Sequence, residues 1–402
     1  YTTLFRSGAG NFTYNNQTGE MNSLGKTATV MQMIFPEYSI DISNLGGIKA
    51  NSISMVGNTL GLGVRNKGTI TANAALAMTS YGSLVNEGSI NTNGLMAKMA
   101  SLGDMKNTGT INSTAYVTQL SSVGTLTNEG TIASSKQIAI SATGDLVNAG
   151  TMKGTQLLSV ASGGNLTTRK GSNTVSDGQL AVSANNIDNA GSMRGNITYV
   201  EFSGDKLKVT GELRGHSTLT VQSKKDDKVN SGLIYNTGSI SGNDVTIITN
   251  GNLDQEGNII GQNSLSIKTN VLDNVYYIYG KSLNIESNYV RNRATIDGYN
   301  NTISAANGIL NEGQISASGD LTLKTLNNAN ITNYNTIKAN GSLTMTTGTV
   351  KNGGYRCGFL NLATCGKGSI SANKLVLNSY HNYASEMGGQ QQYKYAEINT
   401  IR

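Results

Sequence analysis

The stretch LVNEGSINTNG, residues 84–94, decides how this chain is to be read, because its frame recurs downstream. MKNTGTINS (105–113), LTNEGTIAS (126–134), LVNAGTMKG (146–154), IDNAGSMRG (187–195), IYNTGSISG (234–242) and LNEGQISAS (310–318) all repeat an apolar-x-Asn-x-Gly pattern followed by an aliphatic residue. Marking the glycine gives Gly68, Gly88, Gly109, Gly130, Gly150, Gly171, Gly191 and Gly211, in steps of 20 or 21 residues. After a longer step the series resumes at Gly238 and Gly257, degenerates at Tyr276 and Ala294, and returns at Gly313. A fixed period of this length is the mark of a solenoid.

Within residues 84–104 apolar positions such as Leu84, Ile90, Leu95 and Met99 sit among small polar residues. Segments such as SIKT, LTLK and LTMT alternate with period two, as short strands do. A leucine-rich repeat has a similar period but needs more leucines and a helical or turn-like outer face. The expected fold is therefore all-β, a parallel β-helix of about 20-residue coils. Three or four aliphatic side chains cannot offset the ordering of a whole coil, so a coil is stable only when stacked on others. Asn66, Asn86, Asn107, Asn128, Asn148, Asn189, Asn236 and Asn311 are expected to form a ladder of side-chain amides along one corner. The glycine two positions on is expected to supply a positive φ there.

Working outward, the 402 residues include 49 glycines, one proline, no tryptophan and only 13% charged residues, a composition that favours many short strands over helices. The net charge of +6 comes from scattered Lys and Arg rather than a basic stripe, so no nucleic-acid partner is expected. No uninterrupted apolar run approaches the ~18 residues of a membrane span. The chain opens on Tyr1 without an initiator Met or a signal peptide and is read as an internal piece of a longer protein.

Catalysis is not expected. No G-x-S-x-G, P-loop or H-E-x-x-H motif occurs, and the acidic pair Asp226 and Asp227 is flanked by Lys224, Lys225 and Lys228, as in a solvated loop. His216 and His381 lie far from Cys357 and Cys365, so no metal site is expected, and nothing calls for a cofactor. A local disulfide between Cys357 and Cys365 fits the spacing better than two free thiols and would imply an oxidising compartment.

Departures from a solenoid's period are where recognition is sought, because added loops project without disturbing the core. Three occur here. The step from Gly211 to Gly238 carries the charged segment SKKDDKVNSG; residues 275–299 collect Tyr276, Tyr277, Tyr279, Tyr289 and Tyr299; and the C-terminal end, with Tyr355, Tyr380 and Tyr383, leaves the period. These residues, with Lys224, Lys225, Asp226, Asp227 and Lys228, are the candidate receptor-binding positions, since tyrosine is enriched in recognition surfaces.

Residues 40–74, IDISNLGGIKANSISMVGNTLGLGVRNKGTITANA, carry a more specific signal. Gly46, Gly47, Ala50, Ile53, Val56, Gly57, Gly61, Gly63 and Val64 resemble the junction that leads into the haemagglutinin repeats of filamentous haemagglutinin-type exoproteins of bacterial two-partner secretion. Asn58 and Thr59 stand where that family usually has Thr-Glu. The resemblance extends through the repeats to about residue 375. It implies a right-handed β-helix, export through an outer-membrane β-barrel transporter, and a secreted, cell-surface filament of single chains. Some relatives are contact-dependent growth inhibition effectors, whose filament presents a receptor-binding region to a target bacterium; others are adhesins that bind host cells or glycans. The receptor would be an outer-membrane protein, lipopolysaccharide or a host glycan. On this reading residues 1–65 are the tail of, or junction with, a secretion-type domain, and 66–222 are regular repeats. Residues 223–375 are a less regular β-helix with inserted loops and the candidate receptor-binding region, and 376–402 an irregular end.

Overall fold

A computed structural model describes residues 2–7, 11–14, 21–24, 37–43, 45–224, 232–326, 328–353, 355–357, 363–365, 368–379 and 390–400, with side chains for 37–43, 45–224, 232–326, 328–353, 368–378 and 397. Among the described residues every regular element is a strand; all but two antiparallel pairs, Asn11–Tyr14 with Met21–Leu24 and Tyr355–Cys357 with Ala363–Cys365, stack as the turns of a parallel β-solenoid. The chain divides into two compact units, Tyr1–Val182 and Ser183–Arg402.

In the first unit, one coil consists of the strands Leu84–Asn86, Ser89–Thr92 and Met96–Ser101, each on a different face. Side chains alternate inward and outward along each strand. Leu84, Asn86, Ile90, Thr92, Ala97, Met99 and Ser101 point inward and are buried. Successive coils repeat the choice in register: Leu84 lies beside Met105, then Leu126, Leu146 and Leu166. Ile70, Ile90, Ile111, Ile132 and Met152 form a second column, and Met78, Met99, Leu120, Ile140 and Val160 a third. These columns are the core. Leu95 is not part of it: it is 80% exposed. Alternation on the third strand turns Ala97, Met99 and Ser101 inward, and Leu95 falls in the turn that precedes it.

The repeat glycines serve a different purpose from the one expected. Among the described glycines positive φ occurs at Gly61, Gly94, Gly171, Gly232 and Gly308, so only Gly171 of the repeat series adopts it. The others are required by close approach. Ser89 N donates to Gly68 O at 2.9 Å, which presses the Gly88 Cα against that carbonyl, and a Cβ on Gly88 would collide with it. Gly109 meets Gly88 O in the same way, and Gly130 meets Gly109 O. The residue is fixed by the coil stacked against it rather than by its own dihedral.

In the second unit the same faces are joined into longer strands, among them Asn258–Asn274, Tyr277–Asn292 and Thr295–Ala305. Gly261, Gly280 and Gly298 stay in register, as do Ile259, Ile278 and Ile296. The degeneracy of residues 275–299 is thus one of sequence and not of backbone. The coil shortens, with 18 residues between Asn274 and Asn292, without losing its pairing.

Candidate recognition surfaces

The inward Asn carried by most coils builds the most regular polar feature; Thr168, Val209 and Gln255 take its place in three. Asn66 Nδ2 donates to Asn86 Oδ1 at 2.8 Å, Asn86 to Asn107 at 2.7 Å, Asn107 to Asn128 at 2.8 Å and Asn128 to Asn148 at 2.9 Å. The second N–H of each amide reaches backbone carbonyls, as Asn107 does to Gly109 O and Thr131 O, both at 3.2 Å. Asn148 donates instead to Thr174 Oγ1 at 2.9 Å. In the second unit Asn189 donates to Glu212 O at 2.8 Å and Asn236 to Gln255 Oε1 at 2.7 Å.

A further run joins Asn274, Asn292, Asn311, Asn333 and Asn352, with Asn-to-Asn distances of 2.7 to 2.8 Å. Of these five, only Asn311 was expected in the ladder. The signal was present in VLDN, VRN, ITN and VKN, each with an aliphatic residue two positions before the Asn, and in the first three it is hidden when glycine is used as the marker, since Tyr276, Ala294 and Asn335 stand two positions after the Asn. These amides are structural: they satisfy buried groups that would otherwise be unpaired.

One break in the ladder yields a prediction. Gln255 is one methylene longer than Asn and turns its amide to Gly257 O at 2.6 Å and Tyr277 O at 3.2 Å, leaving Asn274 Oδ1 buried without a partner. Gln255→Asn is expected to close the ladder from Asn236 to Asn274 and to raise the unfolding free energy by about 1 kcal/mol. Denaturant unfolding of the two chains side by side checks it, and an unchanged midpoint would remove this account of the break.

The tyrosines of residues 275–299 separate onto two faces. Tyr277 and Tyr279 point outward from one strand, their rings parallel to within 6° and their centroids 6.4 Å apart. Tyr276, in the bend before that strand, and Tyr299, within Thr295–Ala305, are 55% and 53% exposed. Burial, and then the charge of Asp297, raises the Tyr277 hydroxyl above its ordinary pKa. Tyr289 lies elsewhere, three residues before Asn292, on the face that carries Arg291. Its hydroxyl is also raised, first by burial.

That second face bears a column of charge at the variable position just before the ladder residue. Asp188, Lys208, Tyr235, Asp254, Asp273 and Arg291 follow one another in register. Lys208 pairs with Asp188 at 3.5 Å, Arg291 with Glu312 at 2.8 Å, and Arg293 with Asp273. Tyr235 donates to Glu256 at 3.0 Å beneath Lys206, whose Nζ lies 5.1 Å from the ring centroid. Burial, with the neighbouring Asp273 and Glu256 charges, raises the Asp254 carboxyl above the usual range. The column is not apparent in the sequence, where each member is isolated until the ladder aligns the coils.

Lys224 is exposed at the end of Glu212–Ser223, and Lys225, Asp226, Asp227 and Lys228 lie outside the described residues. Beside Lys224 is a cluster the sequence did not reveal. Tyr199 donates to Glu201 Oε2 at 2.8 Å and Gln222 Nε2 donates to the same oxygen at 3.0 Å, which holds the Glu201 carboxyl below its usual range. Tyr355–Cys357 pairs antiparallel with Ala363–Cys365, setting Cys357 opposite Ala363 and Cys365 opposite Tyr355. The side chains of that ribbon, and so the expected disulfide and the Tyr355 ring, lie outside the described residues, as do Tyr380 and Tyr383.

Comparison with known proteins gives one informative similarity. The chain is 41% identical over 58 residues to Toxin CdiA of Yersinia pestis, a stretch that makes up 14% of this chain and 2% of that protein. No family model matches the chain. No solved structure matches it either.

Proposed function

We propose that this chain is a non-enzymatic stretch of the extracellular filament of a two-partner secretion exoprotein, which presents a receptor-binding region to target bacteria for contact-dependent toxin delivery. The observation that carries the reading is the coincidence of a parallel β-solenoid with the 58-residue similarity to Toxin CdiA. A solenoid suits the task because its outward positions vary freely while its inward columns hold the fold. The partners of this reading are an outer-membrane β-barrel transporter during export and a receptor on the target cell afterwards. The filament itself is monomeric, and its recognition groups are outward tyrosines and charges rather than catalytic ones.

The test is binding of the labelled 402-residue chain to intact Gram-negative bacteria and, in parallel, to epithelial cells. Saturable binding to bacteria is expected, falling at least about tenfold when residues 275–299 are replaced by a regular repeat, as loss of an interface's central residues does. Binding to epithelial cells alone would identify an adhesin instead. Binding to neither would leave a spacer and end the receptor reading.

A further inference from the structure

We propose that Tyr277, Tyr279 and Asp297 form a slot for the guanidinium group of an arginine side chain on a partner protein. The proposal rests on the receptor-recognition reading above and names the chemistry of its contact.

Three features define the slot. First, the Tyr277 and Tyr279 rings are parallel to within 6° and their centroids are 6.4 Å apart, too far for the two faces to cover one another at the roughly 3.5 Å contact distance between non-bonded carbon atoms, so both rings can meet one planar group. The two rings rise from alternate positions of one strand that pairs with neighbours on both sides. The backbone that carries both rings is therefore held by the sheet, which limits the ordering needed on binding.

Second, Asp297 lies beside Tyr279 in the next coil. Its carboxylate is oriented by a relay in which Gln314 Nε2 donates to Ser316 Oγ at 3.0 Å and Ser316 Oγ donates to Asp297 Oδ1 at 2.7 Å. Among the described residues Asp297 has no ion-pair partner, whereas Asp273 and Glu312 on the adjacent face are taken by Arg293 and Arg291. The upward shift of the Tyr277 hydroxyl, due partly to Asp297, is consistent with the carboxylate's field reaching the rings.

Third, Ile260 lies in register with Tyr279 in the coil on the other side, giving the slot an apolar neighbour opposite its charged one. A cation that must leave water between two rings is better supplied by guanidinium, which is planar, weakly hydrated and stacks on aromatic faces, than by the compact and strongly hydrated lysine ammonium. A neutral sugar could stack on a tyrosine but would leave the Asp297 charge uncompensated.

The test uses the full chain labelled with 3-fluorotyrosine, the resonances of Tyr277 and Tyr279 being assigned from Phe variants. It is titrated with a capped Gly-Arg-Gly peptide and with the same peptide carrying lysine or the neutral isostere citrulline. Saturable shifts of both resonances are expected with arginine, weaker ones with lysine, and binding about tenfold weaker with citrulline. Asp297→Asn, which can still accept from Ser316, is expected to weaken the arginine peptide by a similar factor, and Tyr279→Ala to abolish the shift at Tyr277. Both changes are on the outward face, and thermal unfolding verifies that each variant folds.

Equal binding of citrulline and arginine, no effect of Asp297→Asn, or a response to a neutral methyl glycoside and not to arginine would each overturn the slot. Cell binding of the same variants separates the two readings. If Asp297→Asn binds cells as well as the parent chain does, the slot is wrong and the receptor reading stands. If the parent chain binds no cells, the receptor reading fails and the peptide titration still decides the slot.

Discussion

Asn107→Ala is expected to lower the unfolding free energy by about 4 kcal/mol, far more than the loss of one polar surface side chain would. Asn107 is buried, accepts from Asn86 Nδ2 at 2.7 Å and donates to Asn128 Oδ1 at 2.8 Å. Alanine strands a donor on one side and an acceptor on the other, where water cannot replace the partner, and each such group costs about 1–3 kcal/mol. The neighbouring outward change Lys106→Ala should stay within about 0.5 kcal/mol, since it loses only an exposed pair with Glu129. Asn107→Asp sharpens the test. Its carboxylate still accepts from Asn86 but turns an oxygen toward Asn128 Oδ1, so the folded state favours the protonated acid and raises its pKa. The variant should therefore recover stability as pH falls through that raised value and lose it above, which denaturant titrations at two pH values would show. A parent-like midpoint for Asn107→Ala would mean that the ladder is decoration on a fold held by its aliphatic columns.

Gly130→Ala is expected to cost about 3 kcal/mol, as overpacking against fixed backbone does. A Cβ there would collide with Gly109 O and lie 2.7 Å from the Thr108 carbonyl carbon. Neither atom can retreat without stretching the 3.0 Å bond from Thr131 N to Gly109 O. Gly61→Ala provides the contrast. Gly61 has φ +84° and no heavy atom within 4 Å of its would-be Cβ, so its cost is conformational alone, about 1 kcal/mol. Unfolding midpoints of the two variants decide whether repeat glycines are held by contact or by dihedral. Equal costs would return the corner to the conformational explanation.

The fold was legible because the period is written in every coil. Inward positions were legible wherever alternation and hydrophobicity agree, as at Ile90 and Met99. They were misjudged at Leu95, where a large aliphatic residue precedes the strand and small Ala97 takes the core position. Choosing glycine as the register marker hid Asn274, because the stacked corner tolerates Tyr276 by opening: Tyr277 N lies 3.3 Å from Gly257 O, against 2.9 Å for the equivalent Ser89 to Gly68 contact. The candidate recognition surface was legible as composition but not as arrangement. Tyr277 and Tyr279 follow Asn274 by three and five residues while Tyr289 precedes Asn292 by three, and only the ladder converts those offsets into different faces. Asp297 carried no signal of its own, since what distinguishes it is the coil above.

The register of the Asn columns has a consequence for how such a molecule comes into being. A ladder partner lies only 20 or 21 residues along the chain in the first unit, so the mean loop to be closed is about 0.05 of the chain length, below even the usual range for helical bundles. Each coil needs one finished neighbour and nothing from the far end. A chain delivered end first could thus order itself as it arrives, and lengthening it would add time in proportion to the coils added without widening the search that any coil must make.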